Sequence, residues 1–335
     1  MKARALIALL PTLALVGCGA SGKAGESGTL YGAGSTLVAP LVAQWANAYA
    51  GPSVTYGAIG SGGGIAQMTA RTIDFGASDA PLTAGQAAAC KDCVQVPWAL
   101  GATLASYNLK GAPAKLKLSG PVLADIYLGK ITRWDDPAIA RLNPAAKLPA
   151  TTITPVYRSD GSGDTYALTD YLSKVSPEWK SKLGVSTQVS FPKGIGGRGN
   201  DGVAAVLGRM NGAVGYLGIS YVFRNGLKYA LIENAAGDYP VPGPDTIAAA
   251  ANAVKTIPPD NAISLTDPPA SAPDAYPIST FTYVLFPTTS GKAKTLHDFV
   301  TYAIGPGQKL GAKLQFAPLP AKVVSAAEQT LAKLG

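Results

Sequence analysis

Apolar positions along the chain follow two rhythms. Runs of continuous or alternating apolar residues at 53–56, 94–107, 153–157, 213–217 and 280–286 predict strands. Helical spacing of apolar residues marks 37–49, 64–71, 123–129, 164–175, 202–209, 244–254, 293–304 and 321–334. Strands that alternate with helices are the pattern of an α/β fold. No internal repeat of fixed period interrupts it. The stretch 257–277 is dense in Pro, Asp and Ser and ends just before a strand-like run, so it suits a crossing between two lobes.

Two lobes are also what the length implies, because 335 residues exceed the size, roughly 250–300, at which single cores stop growing. With 47% hydrophobic and 14% charged residues the chain can fill such cores. Its Lys and Arg number 28 against 20 Asp and Glu, a formal +8, yet the charge is spread out, with no basic run, RNP-like aromatic pattern or Cys/His finger spacing. That argues against nucleic acid and for attraction of small anions. The one histidine, His297, excludes a multi-histidine metal site and is the one imidazole open to Ser-His-Asp or Cys-His chemistry.

Lys2 and Arg4 followed by an apolar run at 5–16 predict an export signal over 1–17, too short to span a bilayer. It ends in Leu15-Val16-Gly17-Cys18, which resembles the lipobox of bacterial lipoproteins, whose cysteine is lipidated. An ordinary cleaved signal with an unrelated Cys18 is the alternative. Residues 18–28 then read as the lipidated Cys and a flexible tether. Gly17-Cys18-Gly19-Ala20-Ser21-Gly22-Lys23-Ala24 approaches a P-loop but ends in Ala and follows no strand. Cys90 and Cys93 form a C-x-x-C; in an exported chain a small structural disulfide is favoured over redox catalysis.

Three small-residue loops each open a helix: Gly32-Ala33-Gly34-Ser35-Thr36-Leu37, Gly60-Ser61-Gly62-Gly63-Gly64 and Asp160-Gly161-Ser162-Gly163-Asp164-Thr165. First-turn N–H groups of a helix lack partners and face the positive end of its dipole, so such ends receive anions. Any one of them is equally a set of helix caps. Directly upstream of the third stands Arg158, whose planar fork matches a tetrahedral oxyanion, with Asp160 placed to hold it. Asp79 would repel an anion, unless that anion still carries a proton. An ionised carboxylate only accepts hydrogen bonds, and phosphate, with a second pKa near about 6, keeps a proton that sulfate lacks. Asp79 would then select phosphate over sulfate; otherwise it is a turn or capping residue before Pro81.

Further segments extend the pattern in order: Ile59-Gly60-Ser61, 74–81, Asp125-Ile126-Tyr127-Leu128-Gly129-Lys130-Ile131, Trp134-Asp135-Asp136, 158–163, Gly199-Asn200-Asp201-Gly202, 212–216 and Tyr276-Pro277-Ile278. With these motifs the chain resembles the phosphate-binding (PstS-type) component of bacterial phosphate ABC importers. The resemblance implies a type II periplasmic binding protein, two α/β lobes joined by two crossing strands with the ligand in the cleft between them. Lobe one would comprise 29–103 plus 276–335 and lobe two 104–275. It implies that Thr36 and Leu37 donate backbone N–H groups, with the Thr36 hydroxyl assisting. Ser61 would donate its hydroxyl, Asp79 would accept the phosphate proton, and Arg158, steadied by Asp160, would pair with the anion. Ser162 and Gly163 would complete the site. Asp164 departs from the Thr of some relatives: its N–H can donate, but its side chain adds an acceptor that would favour a more protonated phosphate.

The partners implied are inorganic phosphate, the permease and ATPase subunits of an importer, and the membrane through the lipid. The protein is expected to act as a monomer outside the cytoplasm, without cofactor, metal or nucleic acid. A phosphatase or serine hydrolase using Ser61 or Ser162 lacks an evident base, since His297 lies in a helical pattern far along the chain. An adhesion module would need an aromatic patch that the sequence does not concentrate.

Overall fold

The computed structural model describes residues 28–334; the predicted signal segment, Cys18 and all of the tether but Gly28 lie outside the described residues. The strands are β1 Leu30–Gly34, β2 Val54–Ala58, β3 Phe75–Ser78, β4 Cys93–Tyr107, β5 Lys117–Leu118, β6 Thr154–Arg158, β7 Ile195–Gly197, β8 Ala213–Gly218, β9 Lys228–Tyr229, β10 Leu231–Ile232 and β11 Ser279–Pro287. One sheet runs β2-β1-β3-β11-β4-β8-β6-β7, with β9 beside the end of β4, while β5 and β10 pair separately.

β4 is the strand the two halves of this sheet share. Its Cys93–Ala102 portion lies antiparallel to β11, and Thr103–Tyr107 lies antiparallel to β8. On one side β1 runs parallel to β2 and β3; on the other β6 runs parallel to β7 and β8. β4 is buried from Gln95 to Tyr107, which explains its mostly apolar sequence.

Each half has an aromatic core. Trp98 packs against Trp45, Phe75 and Phe299 at centroid distances of 5.0, 5.8 and 6.3 Å. In the other half Phe191 meets Tyr127, Trp179 and Tyr216 at 5.6, 6.0 and 6.2 Å. These separations are those of favourable ring pairs.

Helices return the chain between the parallel strands: Ala39–Ala48 after β1, Ser61–Thr69 after β2, Gly163–Val175 after β6 and Gly199–Arg209 after β7. The helix predicted at 64–71 therefore begins earlier, at Ser61. Three successive glycines are poor helix formers, but they buy contact here: a Cβ on Gly64 would lie 2.6 Å from Gly34 Cα. β1 and β3 were not predicted; short and small-residue-rich, they are strands because neighbours pair with them on both sides.

Three residues weighed for chemistry, Cys90, Cys93 and His297, sit apart from the parallel-strand ends. Cys90 and Cys93 are a close pair, Cα atoms 5.4 Å apart, with Arg71 Nη1 donating to Cys93 Sγ at 3.0 Å. His297 lies on the surface helix Ala293–Ile304, half exposed, its Nδ1 3.7 Å from Asp298. Among the described residues no helix is long and apolar enough to cross a membrane.

Candidate anion-binding site

The loops that follow the carboxyl ends of β1, β2, β3, β6 and β7 converge between the two halves of the sheet, the usual position of a ligand crevice in such sheets. Ser35, Thr36, Ser61, Asp79, Arg158, Ser162, Asp164 and Asn200 are all buried there.

From the first half come Asp79 and its hydroxyl partners. Ser35 Oγ donates to the two Asp79 oxygens at 2.6 and 2.7 Å, and Thr282 Oγ1 donates to Oδ1 at 2.8 Å. Ser61 Oγ accepts the N–H of Asp79 at 3.2 Å and, across the gap, that of Gly163 at 3.1 Å, while its own proton points to Asp79 Oδ2 in a long contact of 3.4 Å. Burial pushes the Asp79 carboxyl up to about 7; the charge of Asp164 adds to the rise, while Ser35, Thr282 and Arg158 oppose it. Asp79 thus changes charge near neutrality.

From the second half comes Arg158, at the end of β6. Its Nε and Nη2 donate to Asp160 at 2.8 and 2.5 Å, and Nη1 donates to Asp164 Oδ2 at 2.9 Å. A guanidinium has five N–H groups; three are engaged, leaving one on each terminal nitrogen. Burial pulls Asp160 upward, but hydrogen bonds and charge from Arg158 outweigh it and hold its pKa below the ordinary value. Asp164 is raised, chiefly by burial. Three carboxylates therefore surround one guanidinium, and a bound anion adds to that imbalance, so the cluster favours an ion that brings or keeps a proton.

Backbone donors complete the set. The N–H groups of Thr36, Leu37 and Asp164 have no hydrogen-bond partner among the described residues. Those of Thr36 and Leu37 sit in the turn after β1, and that of Asp164 sits in the first turn of Gly163–Val175, where helical N–H groups are unpaired. Ser162 Oγ caps this helix by accepting Thr165 N–H at 3.3 Å, which leaves its proton free.

The halves are in contact around this spot. Gly62 N–H donates to Gly161 O at 2.9 Å, and Tyr221 Oη donates to Thr36 O at 2.9 Å. A Cβ on Gly163 would lie 2.3 Å from Asp79 Cβ, so only glycine lets the segments approach this closely. Chemically, the site offers N–H, O–H and guanidinium donors from both halves to one small oxyanion, with Asp79 as acceptor.

All the candidates singled out from sequence, Thr36, Leu37, Ser61, Asp79, Arg158, Asp160, Ser162, Gly163 and Asp164, meet at this spot. Two stand differently from expectation. Gly163 N–H is taken by Ser61 Oγ, and the Asp164 carboxylate, expected beside the ligand as a spare acceptor, is engaged by Arg158, by Thr103 Oγ1 at 2.8 Å and by Asn200 Nδ2 at 2.8 Å. The attraction of a buried cation for a buried carboxylate explains that orientation. Ser35, Thr103, Asn200, Tyr216 and Thr282 were not anticipated. Tyr216 Oη accepts Arg158 N–H at 3.1 Å and shares a hydrogen bond with Thr165 at 2.7 Å. Ser35 adjoins Thr36 in the first loop, and Asn200 and Tyr216 lie in motifs named above; nothing in sequence spacing marks Thr103 or Thr282.

The family model for the PBP superfamily domain matches residues 19–306. The chain is 42% identical over 311 residues to the phosphate-binding protein PstS of Xylella fastidiosa (strain Temecula1 / ATCC 700964), covering 90% of this chain and 85% of that protein. It is 41% identical over 307 residues to PstS of Pasteurella multocida (strain Pm70), covering 89% and 88%. Among solved structures it is similar to the periplasmic phosphate-binding protein PfluDING bound with phosphate, with a TM-score of 0.73 and 20% identity over 90% of this chain and 93% of that one. The phosphate-binding protein from Stenotrophomonas maltophilia gives a TM-score of 0.71 and 22% identity over the same shares, 90% and 93%. At such identities these likenesses establish the fold, the two-lobed periplasmic binding protein architecture.

Proposed function

The chain belongs to the PstS-type phosphate-binding proteins of the PBP superfamily, and from that premise we propose that it captures inorganic phosphate between its lobes and delivers it to an ABC permease for import. The observation that carries the proposal is the convergence of donors from both halves on one buried spot beside Arg158, with Asp79 as the acceptor. Thr36, Leu37, Ser61, Ser162 and Asp164 N–H would donate to phosphate oxygens. Arg158 would add its two unused N–H groups, held in place by Asp160 and Asp164. Asp79 would accept the phosphate proton, and Gly163 would seal the contact to Ser61. Micromolar binding needs about 8 kcal/mol, which several charge-assisted bonds of about 1.5–3 kcal/mol each can leave after desolvation.

In this proposal the lobes are 29–103 plus 276–335 and 104–275, hinged where β4 and the segment before β11 cross. Residues 1–17 would be a signal peptide and Cys18 a lipid anchor on the outer face of a membrane, with the monomer reaching its permease from there. The close pair Cys90–Cys93 would be a structural disulfide. A binding role without turnover is supported by the position of His297, half exposed on the helix Ala293–Ile304 beside Asp298, whereas the hydrogen-bond partners of Ser61 and Ser162 are Asp79, Gly163 and Thr165. Isothermal titration of phosphate-stripped protein tests the proposal: saturable one-to-one binding of phosphate, with sulfate rejected and no hydrolysis of a chromogenic phosphate ester, is expected. Absence of phosphate binding, or turnover of the ester, would overturn it.

A further inference from the structure

Asn200 opens the helix Gly199–Arg209 and is fully buried. Its Oδ1 accepts the N–H of Gly218 at 2.7 Å, which fixes the orientation of the amide. The two hydrogens of Nδ2 then go to Asp164 Oδ2 and to Thr36 Oγ1, each at 2.8 Å. Gly218 and Asp164 are in the same half of the sheet as Asn200, whereas Thr36 follows β1 in the other half. One side chain thus ties the neighbour of Arg158 to the opposite wall.

The consequence for Thr36 follows from hydroxyl chemistry. An O–H group that accepts an N–H must direct its own proton elsewhere. Among the described residues the Thr36 proton meets no acceptor, and the unpaired N–H groups of Thr36 and Leu37 lie beside it in the same turn. We propose that Asn200 is a positioning residue for the bound oxyanion: by bonding to Thr36 Oγ1 across the cleft it turns the Thr36 hydroxyl into an obligate donor to the ligand and holds the lobes together around it. This rests on the assignment of phosphate to the site. Without Asn200, that hydroxyl could rotate and present a lone pair to the anion, exchanging an attraction for a repulsion.

The test is a double-mutant cycle read by phosphate titration of the stripped full-length protein. Asn200→Ala should weaken phosphate binding about 10- to 100-fold, the range of one charge-assisted hydrogen bond. In the T36V background, which has no hydroxyl to orient, Asn200→Ala should cost less than about threefold more. Thr36→Ser, which keeps the hydroxyl, should restore the sensitivity to Asn200→Ala that T36V removes. Equal losses in the parent and T36V backgrounds would mean that Asn200 only braces its own lobe, and an unchanged affinity for N200A would remove it from the site; either result overturns the inference. Failure of the parent protein to bind phosphate is a separate outcome and would overturn the functional proposal with it.

Discussion

Replacing Arg158 with lysine keeps the buried positive charge and removes the planar fork. In the structure Arg158 gives three of its five N–H groups to Asp160 and Asp164 and retains two for a ligand. At about 1.5–3 kcal/mol for each bond to a charged partner, those two are worth about 3–6 kcal/mol. A lysine ammonium has three N–H groups on one nitrogen, and two must satisfy Asp160 and Asp164, so at most one remains. The expected loss is the difference, about 1.5–3 kcal/mol, or about 10- to 150-fold in affinity. Arg158→Ala should lose about 3–6 kcal/mol of binding, but it also strands two carboxylates, and breaking a buried pair costs about 3–5 kcal/mol of stability. Lysine is therefore the cleaner probe. Phosphate titration, with thermal unfolding as the control for folding, reads the effect. A folded Arg158→Lys protein that binds phosphate within threefold of the parent would refute the assignment of the two free N–H groups to the anion.

Asp79→Asn should lower phosphate affinity at least tenfold and admit sulfate, because an amide N–H can donate to an anion that has no proton, and competitive titration with sulfate measures it. The Asp79 carboxyl holds its proton up to about 7 in this fold against 3.8 normally, so the folded state binds more protons than the unfolded one between those values. Stability of the closed protein should accordingly fall as pH rises through that window, and Asp79→Asn should flatten the curve in thermal melts. Phosphate affinity should decrease from pH 6 to 8, by up to about tenfold per unit if one proton enters with the ion, and Asp164→Thr should reduce that slope; equal slopes would show that Asp164 plays no part. Gly163→Ala should leave the protein folded yet weaken phosphate binding at least tenfold, since the new Cβ would lie 2.3 Å from that of Asp79 and hold the lobes apart; titration and small-angle scattering report both effects.

The sequence makes the donors of this site legible because each advertises a local need: glycines where backbones approach, hydroxyls at helix starts, an arginine two residues before its carboxylate. What it hides is set by tertiary contact. The orientation of Asp164 toward Arg158, Thr103 and Asn200 cannot be read from its place in a Gly/Ser loop, since the same residue could equally have faced the cleft. Thr282, on the strand β11, reaches Asp79 across a sequence separation of 203 residues. The fold shows the same division. β4 stands out as a long apolar run, whereas β1, with two glycines in five residues, becomes a strand only between β2 and β3.

In the proposed function, donors from both lobes and Arg158 share one enclosed oxyanion, checked by Asp79. A crystal structure of the protein grown with phosphate tests this most directly. One ion is expected, bonded to Thr36, Leu37, Ser61, Arg158, Ser162 and Asp164 N–H, with one phosphate oxygen within hydrogen-bonding distance of Asp79. Phosphate bound elsewhere, or touching residues of a single lobe, would contradict it.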